Sequence, residues 1–159
     1  MVAKDRANYY PDADSMYKDE TMIFNNWNIN STWTNGTDGT CRLAASQTSK
    51  VFCVPISGLK VGDIITKFRI LGQIESAGGT VTLDADLRKV TKGTSDVTDA
   101  SIGAITQVSK TADYSVDVEK DITDTTVADD YAYYVKVDGT TGASTDIAIT
   151  AIEVDIKRR

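Results

Sequence analysis

The stretch GTVTLDADLRKV, residues 79–90, carries the cleanest two-residue alternation in the chain. Val81, Leu83, Ala85 and Leu87 fall on one side, and Thr82, Asp84, Asp86 and Arg88 fall on the other. Successive side chains of a strand leave opposite faces of a sheet, so the pattern predicts a strand with one dry and one wet face. At a helical period the same apolar residues would scatter around the circumference, and Thr80, Val81 and Thr82 would lower helix propensity. A sheet wet on one face is characteristically antiparallel, and its dry face needs a second layer to cover it.

Working outward, the same kind of pattern recurs from Lys50 onward. KVFCVPI (50–56) reads as a buried strand that enters a turn at Pro55 and Gly58. DIITKFRILGQI (63–74) places Ile64, Phe68, Ile70 and Ile74 inward, with Gly72 as a candidate bulge. SAGG (76–79) predicts a hairpin into the opening strand. Downstream, IGAITQV (102–108), ADYSVDVEKDI (112–122) and YAYYVKV (131–137) alternate, separated by polar connections at 91–101 and 123–130. DGTTGASTD (138–146) suggests an Asp-Gly turn. In DIAITAIEVDIK (146–157), Ala148, Thr150, Ile152, Val154 and Ile156 share one side, while Ile147 and Ile149 are apolar on the other. Such a strand is expected either at a central position or at an intersubunit contact. Seven or eight strands at regular spacing, with no long helical pattern between them, predict an all-β antiparallel two-sheet sandwich of the jelly-roll kind.

Residues 1–45 differ from the rest and are expected to form an extended N-terminal arm on a sandwich domain of residues 46–159. They carry Tyr9, Tyr10, Phe24, Trp27 and Trp33 among polar residues, with no sustained period. DSMYKDETMIF (14–24) could hold a helical turn or two, with Asp14 or Ser15 as N-cap. Aromatic residues in a segment without its own core need another surface. Either they pack back as a strap on their own domain, or they dock on a neighbouring subunit, where Trp and Tyr make good anchors. The interface candidates are therefore Tyr9, Tyr10, Phe24, Trp27 and Trp33, joined by Ile147 and Ile149 from the doubly apolar strand.

Composition bounds the function. A chain of 159 residues can bury one substantial core. Net charge is −6 with the Lys and Arg dispersed, which argues against a nucleic-acid partner. No apolar run approaches the roughly 20 residues of a membrane span, and the N-terminus lacks the apolar core of a secretory signal, so synthesis and use without Sec export are expected. On that footing Cys41 and Cys53 are expected to be free, with Cys53 the buried thiol. Histidine is absent, which removes the Ser-His-Asp and Cys-His mechanisms and histidine metal sites. Asp84 and Asp86 share a strand face and could in principle serve as an acid-base pair, against the simpler reading of a solvated face with Arg88 as local partner. The acidic connections 123–130 and 138–146 offer oxygen ligands but not the spacing of a known calcium loop. The expectation is thus a protein with no enzymatic activity and no cofactor.

GLKVGDIITKFRILG, TLDADLRKVTKG with the following DVTDASIGAITQVS, and DDYAYYVKVDGTT with DIAITAIEVDI resemble a recurring β-sandwich segment of small virion proteins of tailed bacteriophages. The resemblance covers roughly residues 55–156. It implies a structural role on the particle as a capsid decoration or cement subunit, a head-fibre base or a tail-associated module, commonly a homotrimer. The implied partners are further copies of the chain and the major capsid protein or another virion protein, and the implied location is the virion, after synthesis in the host cytoplasm. The alternative is a carbohydrate- or receptor-binding module of a phage tail or fibre, with Trp27, Trp33 or Tyr134 stacking on sugar rings.

Overall fold

The computed structural model describes residues 17–27, 32–93 and 95–158. Among them there are ten strands and no helix: β1 (Lys18–Phe24), β2 (Trp33–Asn35), β3 (Cys41–Leu43), β4 (Gln47–Pro55), β5 (Ile64–Ser76), β6 (Val81–Thr91), β7 (Asp99–Lys110), β8 (Tyr114–Thr126), β9 (Tyr131–Thr141) and β10 (Thr145–Arg158). They form two antiparallel sheets packed face to face. One runs β2-β3-β10-β5-β8, with β1 also paired to β10, and the other runs β4-β9-β6-β7.

The pairings define the topology. β3 pairs with β10, β4 with β9, β5 with β8 and β6 with β7. The chain from β3 to β10 is therefore one long antiparallel ribbon, folded back on itself at the β6–β7 connection. Wrapping this ribbon adds the contacts β10–β5 and β9–β6, which close the two sheets. That is the jelly roll, eight strands in two Greek keys. β1 and β2 are additions at one margin.

The opening stretch becomes β6, in the interior of the four-stranded sheet, and its alternation holds: Val81, Leu83, Ala85 and Leu87 are buried, while their neighbours are half-buried. Facing them across the core are Phe68, Ile70 and Ile74 of β5 and Ile147, Ile149, Ile152, Val154 and Ile156 of β10. Trp33 seals the margin next to β4, its indole Nε1–H donating to the Lys50 carbonyl at 2.8 Å and its ring packing on Phe52 at 4.6 Å. Trp27 stands edge-on to the same Phe52 and donates to the Gly39 carbonyl at 2.9 Å.

Several expectations need correction. Residues 18–24 form β1 rather than helical turns, because the open edge of β10 supplies backbone partners for all seven residues; Asp14 and Ser15 lie outside the described residues. The expected division at residue 45 does not separate an arm from the sheets. β1, β2, β3 and both tryptophans lie before it and are built into the sheets and core. The 76–79 segment is no hairpin. It carries the chain from one sheet to the other, and Ala77 N–H donates to the Ser144 carbonyl of the neighbouring turn. A short glycine loop serves a sheet-to-sheet corner as well as a hairpin, and the alternation on either side is the same for both.

Ile64 does not face the core; Ile65 does, because Thr66 is an extra residue that resets the register against β10. The other irregularity in this pairing lies opposite Gly72, at Thr150 of β10. Thr150 is exposed, and beyond it the inward set switches from Ile147 and Ile149 to Ile152, Val154 and Ile156. A two-residue period carried through that bulge puts these two groups on opposite faces, whereas both face the core. Of the two readings of the doubly apolar strand, the central position is the one observed, with Ala148 buried on the outward side.

Asp138 and Gly139 are not a turn either. They continue β9, and Gly139 is required because a Cβ there would stand 2.8 Å from both Leu43 and Trp33. The turn comes later, at Gly142 to Ser144, with Ser144 at φ 54°.

At Gly72 a Cβ would collide with the backbone carbonyl oxygen of Ala148, which cannot move without breaking the bulge. Gly72→Ala is therefore expected to cost about 3 kcal/mol, and Gly139→Ala, which meets side-chain atoms, about 1 kcal/mol. Urea midpoints at constant m-value would measure both. An unchanged midpoint for Gly72→Ala would contradict the register of β5 against β10.

Candidate functional site

The outer face of the four-stranded sheet brings together most of the titratable residues singled out in the sequence. Cross-strand register arranges them in rows. Pro55, Tyr134, Arg88 and Ser101 form one row; Cys53, Lys136, Asp86 and Ala104 form the next; Val51, Asp138 and Asp84 form the third. Alternation in β6 and β9 puts these residues outward for the same reason that it buries Leu87 and Val135.

Arg88 organises the first two rows. Its Nε–H donates to both carboxylate oxygens of Asp99 at 3.0 Å, and its Nη1 donates to Asp86. Asp86 also accepts from the Ser101 hydroxyl. The Asp99 carboxyl is held below the usual aspartate range, chiefly by Arg88 and secondly by Tyr134, while the guanidinium is pushed upward by Asp99 and then Asp86. Burial, and then the hydrogen bond to Asp99, raise the Tyr134 phenol.

The third row opposes two like charges, Asp84 and Asp138, an arrangement that is destabilising by itself. Each has a fixed donor. The Gln107 amide reaches Asp84 at 2.9 Å, and the Ser49 hydroxyl reaches Asp138 at 3.0 Å. With Lys136 they line a shallow depression of about 200 Å³ that also includes Asp86, Ile105 and Thr106. Asp84 and Asp86 do share a face, as their spacing implies, but Asp86 is engaged by Arg88 and Ser101. The local partnership with Arg88 is thus the arrangement the chain adopts.

The outer face of the six-stranded sheet is also charged. Arg69 grips Asp117 with two bonds of 2.6 and 2.7 Å and reaches Glu153 at 3.5 Å, and Lys67 pairs with Glu119 at 3.1 Å. In the β2–β3 hairpin, Arg42 pairs with Asp38 at 3.0 Å. Exposed pairs of this kind are screened by solvent and contribute little to stability. Their effect is on the surface: each strand face carries both signs in register. Among the described residues no group of three or more His, Cys, Asp or Glu could hold a metal ion. The acidic stretches considered for calcium are largely strand, since 123–126 lies in β8 and 138–141 in β9.

The interface candidates fare differently. Tyr9 and Tyr10 lie outside the described residues. Phe24 is half-buried on the margin of the core. Trp27, Trp33, Ile147 and Ile149 are core residues of their own chain, at 8%, 1%, 0% and 0% exposure, so they cannot present anchors to a neighbour in this fold. The strap reading therefore describes residues 17–27 and 32–45. The thiols are free but reversed from expectation: Cys41 is buried and Cys53 exposed. The run KVFCVPI is not buried on both faces. It alternates, with Phe52 and Val54 inward and Cys53 between them outward. The exposed apolar side chains Ile23, Val61 and Val97 escape sequence reasoning, since single apolar residues in polar segments give no periodic signal.

The chain matches no protein-family model, and no curated protein matches it either.

Two measurements check this surface. The depressed Asp99 carboxyl contributes stability that is present above the ordinary aspartate pKa of about 3.9 and is lost as pH falls through the lower folded value. Carboxyl-detected NMR should find Asp99 titrating below the ordinary range, and Arg88→Gln should return it toward that range; an unmoved titration would remove Arg88 as the cause. For the thiols, burial pushes Cys41 up to about 12. A thiol reagent should therefore label one cysteine per native chain, Cys53, and two after unfolding. Rapid native labelling of Cys41 would contradict its placement.

Proposed function

We propose that this chain is a structural subunit of a virus particle, a capsid decoration or fibre-base protein that works by assembling with copies of itself and with a shell or tail protein. The observation that carries the reading is the jelly-roll wrapping of β3 to β10, an architecture that viral capsid and lectin domains share. Fold alone does not give function. The choice within that group rests on the resemblance of residues 55–156 to tailed-phage virion segments. Two further features support it. Both outer sheet faces are laced with ion pairs in register, as suits a rigid building block, and the composition lacks histidine altogether.

The carbohydrate-binding alternative needs exposed aromatic rings. Trp27 and Trp33 are committed to the core, and Tyr134 is hydrogen-bonded with Asp99 and Arg88. Oligomerisation, in this reading, uses the exposed margins and ends of the sandwich and not Ile147 or Ile149. The segment before Tyr17, with Tyr9 and Tyr10, is assigned to attachment.

Light scattering of the purified chain should give a discrete oligomer, of which a trimer is the expected form. The oligomer should saturate particles assembled without it and show no binding on a glycan array. A monomer with a selective glycan ligand would replace this reading with the carbohydrate-binding one.

A further inference from the structure

We infer that β1 is an exchangeable strand: in the assembled protein it leaves its own chain and pairs with the β10 edge of a neighbouring copy. The inference rests on the assembly reading above for the presence of that neighbour.

Four observations lead to it. First, β1 lies outside the jelly-roll ribbon: every pairing among β3 to β10 forms without it, and β1 fills only the edge of β10 from Ile152 to Arg158, which β3 does not reach. Second, none of its seven residues is buried, although Ile152, Val154 and Ile156 on the strand beside it are at 0–1% exposure. Third, its attachments are the edge of β10 and the rim of the core, where Met22 and Phe24 are half-buried. Seven backbone pairs run from Lys18↔Arg158 to Phe24↔Ile152, Thr21 donates to Asp155 at 2.6 Å, Arg158 donates to Glu20 at 3.0 Å, and the Met22 methyl covers Gly58. Fourth, the connection that follows makes no strand pairing: Asn25 and Asn26 are exposed, and Trp27 immediately after them is fixed in the core through Gly39 and Phe52.

In the exchange, the two exposed residues Asn25 and Asn26 take up the change of direction and Trp27 keeps its place in its own chain. The occupant of the vacated edge is specified by the structure itself, because β1 shows the sequence, polarity and register that the edge of β10 accepts. Between identical chains, the strand pairing that one copy gives up is remade on its neighbour, so exchange is a low-cost route to assembly and is favoured as local concentration rises. An edge left open by a departing β1 would pair with other strands, which gives a second reason for the copies to exchange in concert.

The test uses full-length chain carrying Thr21→Cys and Asp155→Cys, two positions in direct register, with Cys53→Ser to remove the exposed thiol. Cys41 is buried and stays silent. Asp19→Cys with Lys157→Cys, also in register, repeats the test should the first pair fold poorly. The chain is sized by light scattering, oxidised, and run under denaturing, non-reducing conditions. Exchange predicts that the main bridged species migrates at dimer mass or above. If the native protein is an oligomer yet all bridged chain migrates as monomer, exchange is overturned and the assembly reading stands. A native monomer with only intrachain bridges overturns both.

Discussion

The last strand of the jelly roll, β10, is hydrogen-bonded along both of its edges, and most of the molecule follows from satisfying it. One edge belongs to β5 for nearly the whole length, and the other is divided between β3 and β1. A buried backbone amide without a partner costs about as much as a lost hydrogen bond, so a strand this deep needs neighbours on both sides. Its apolar residues also have to meet the opposing sheet over fourteen residues, although they change parity midway. The bulge at Thr150 reconciles the two demands. It turns Ile152, Val154 and Ile156 to the side already occupied by Ile147 and Ile149, and Gly72 on β5 provides the room.

That constraint also separates what is legible in the sequence from what is not. Val81 to Leu87 alternate without interruption because β6 pairs with β9 residue for residue over that span, the extra residues in its other pairing being carried by β7, and from such strands the antiparallel sandwich can be read directly. β10 cannot be read that way: a bulge is one residue long, and its trace in the sequence is only a pattern that looks apolar on both sides. The tryptophans mislead for a related reason. Trp27 and Trp33 sit among polar residues because the neighbouring positions face solvent, while the rings themselves close the margin over Phe52. Cys53 follows the same logic in reverse, an outward residue inside an apolar run. The charged face is partly legible, since Asp84, Asp86 and Arg88 are spaced two apart. Asp99, Tyr134 and Asp138 join them only through pairing between distant segments, which local pattern does not record.

In the proposed assembly role, function enters through surfaces. The core is filled by large aliphatic and aromatic side chains, and both outer sheet faces carry ion pairs between neighbouring strands. Such a body is suited to being placed and held. Among the described residues, the exposed large apolar side chains Ile23, Val61 and Val97 lie in β1 and in the connections between strands. The strand least committed to the core is therefore also one that presents apolar surface to solvent, which links the architecture of the margin to the proposed assembly role.

In the proposed assembly, β3 to β10 form one cooperative unit and β1 is attached to it separately. Native-state hydrogen exchange tests this most directly, because it reports the free energy at which each amide opens. Amides of β10 bonded to β5 should exchange only through global unfolding, whereas amides shared between β1 and β10 should open at a distinctly lower free energy. Equal opening free energies for the two sets would make β1 an integral part of the core and contradict the account.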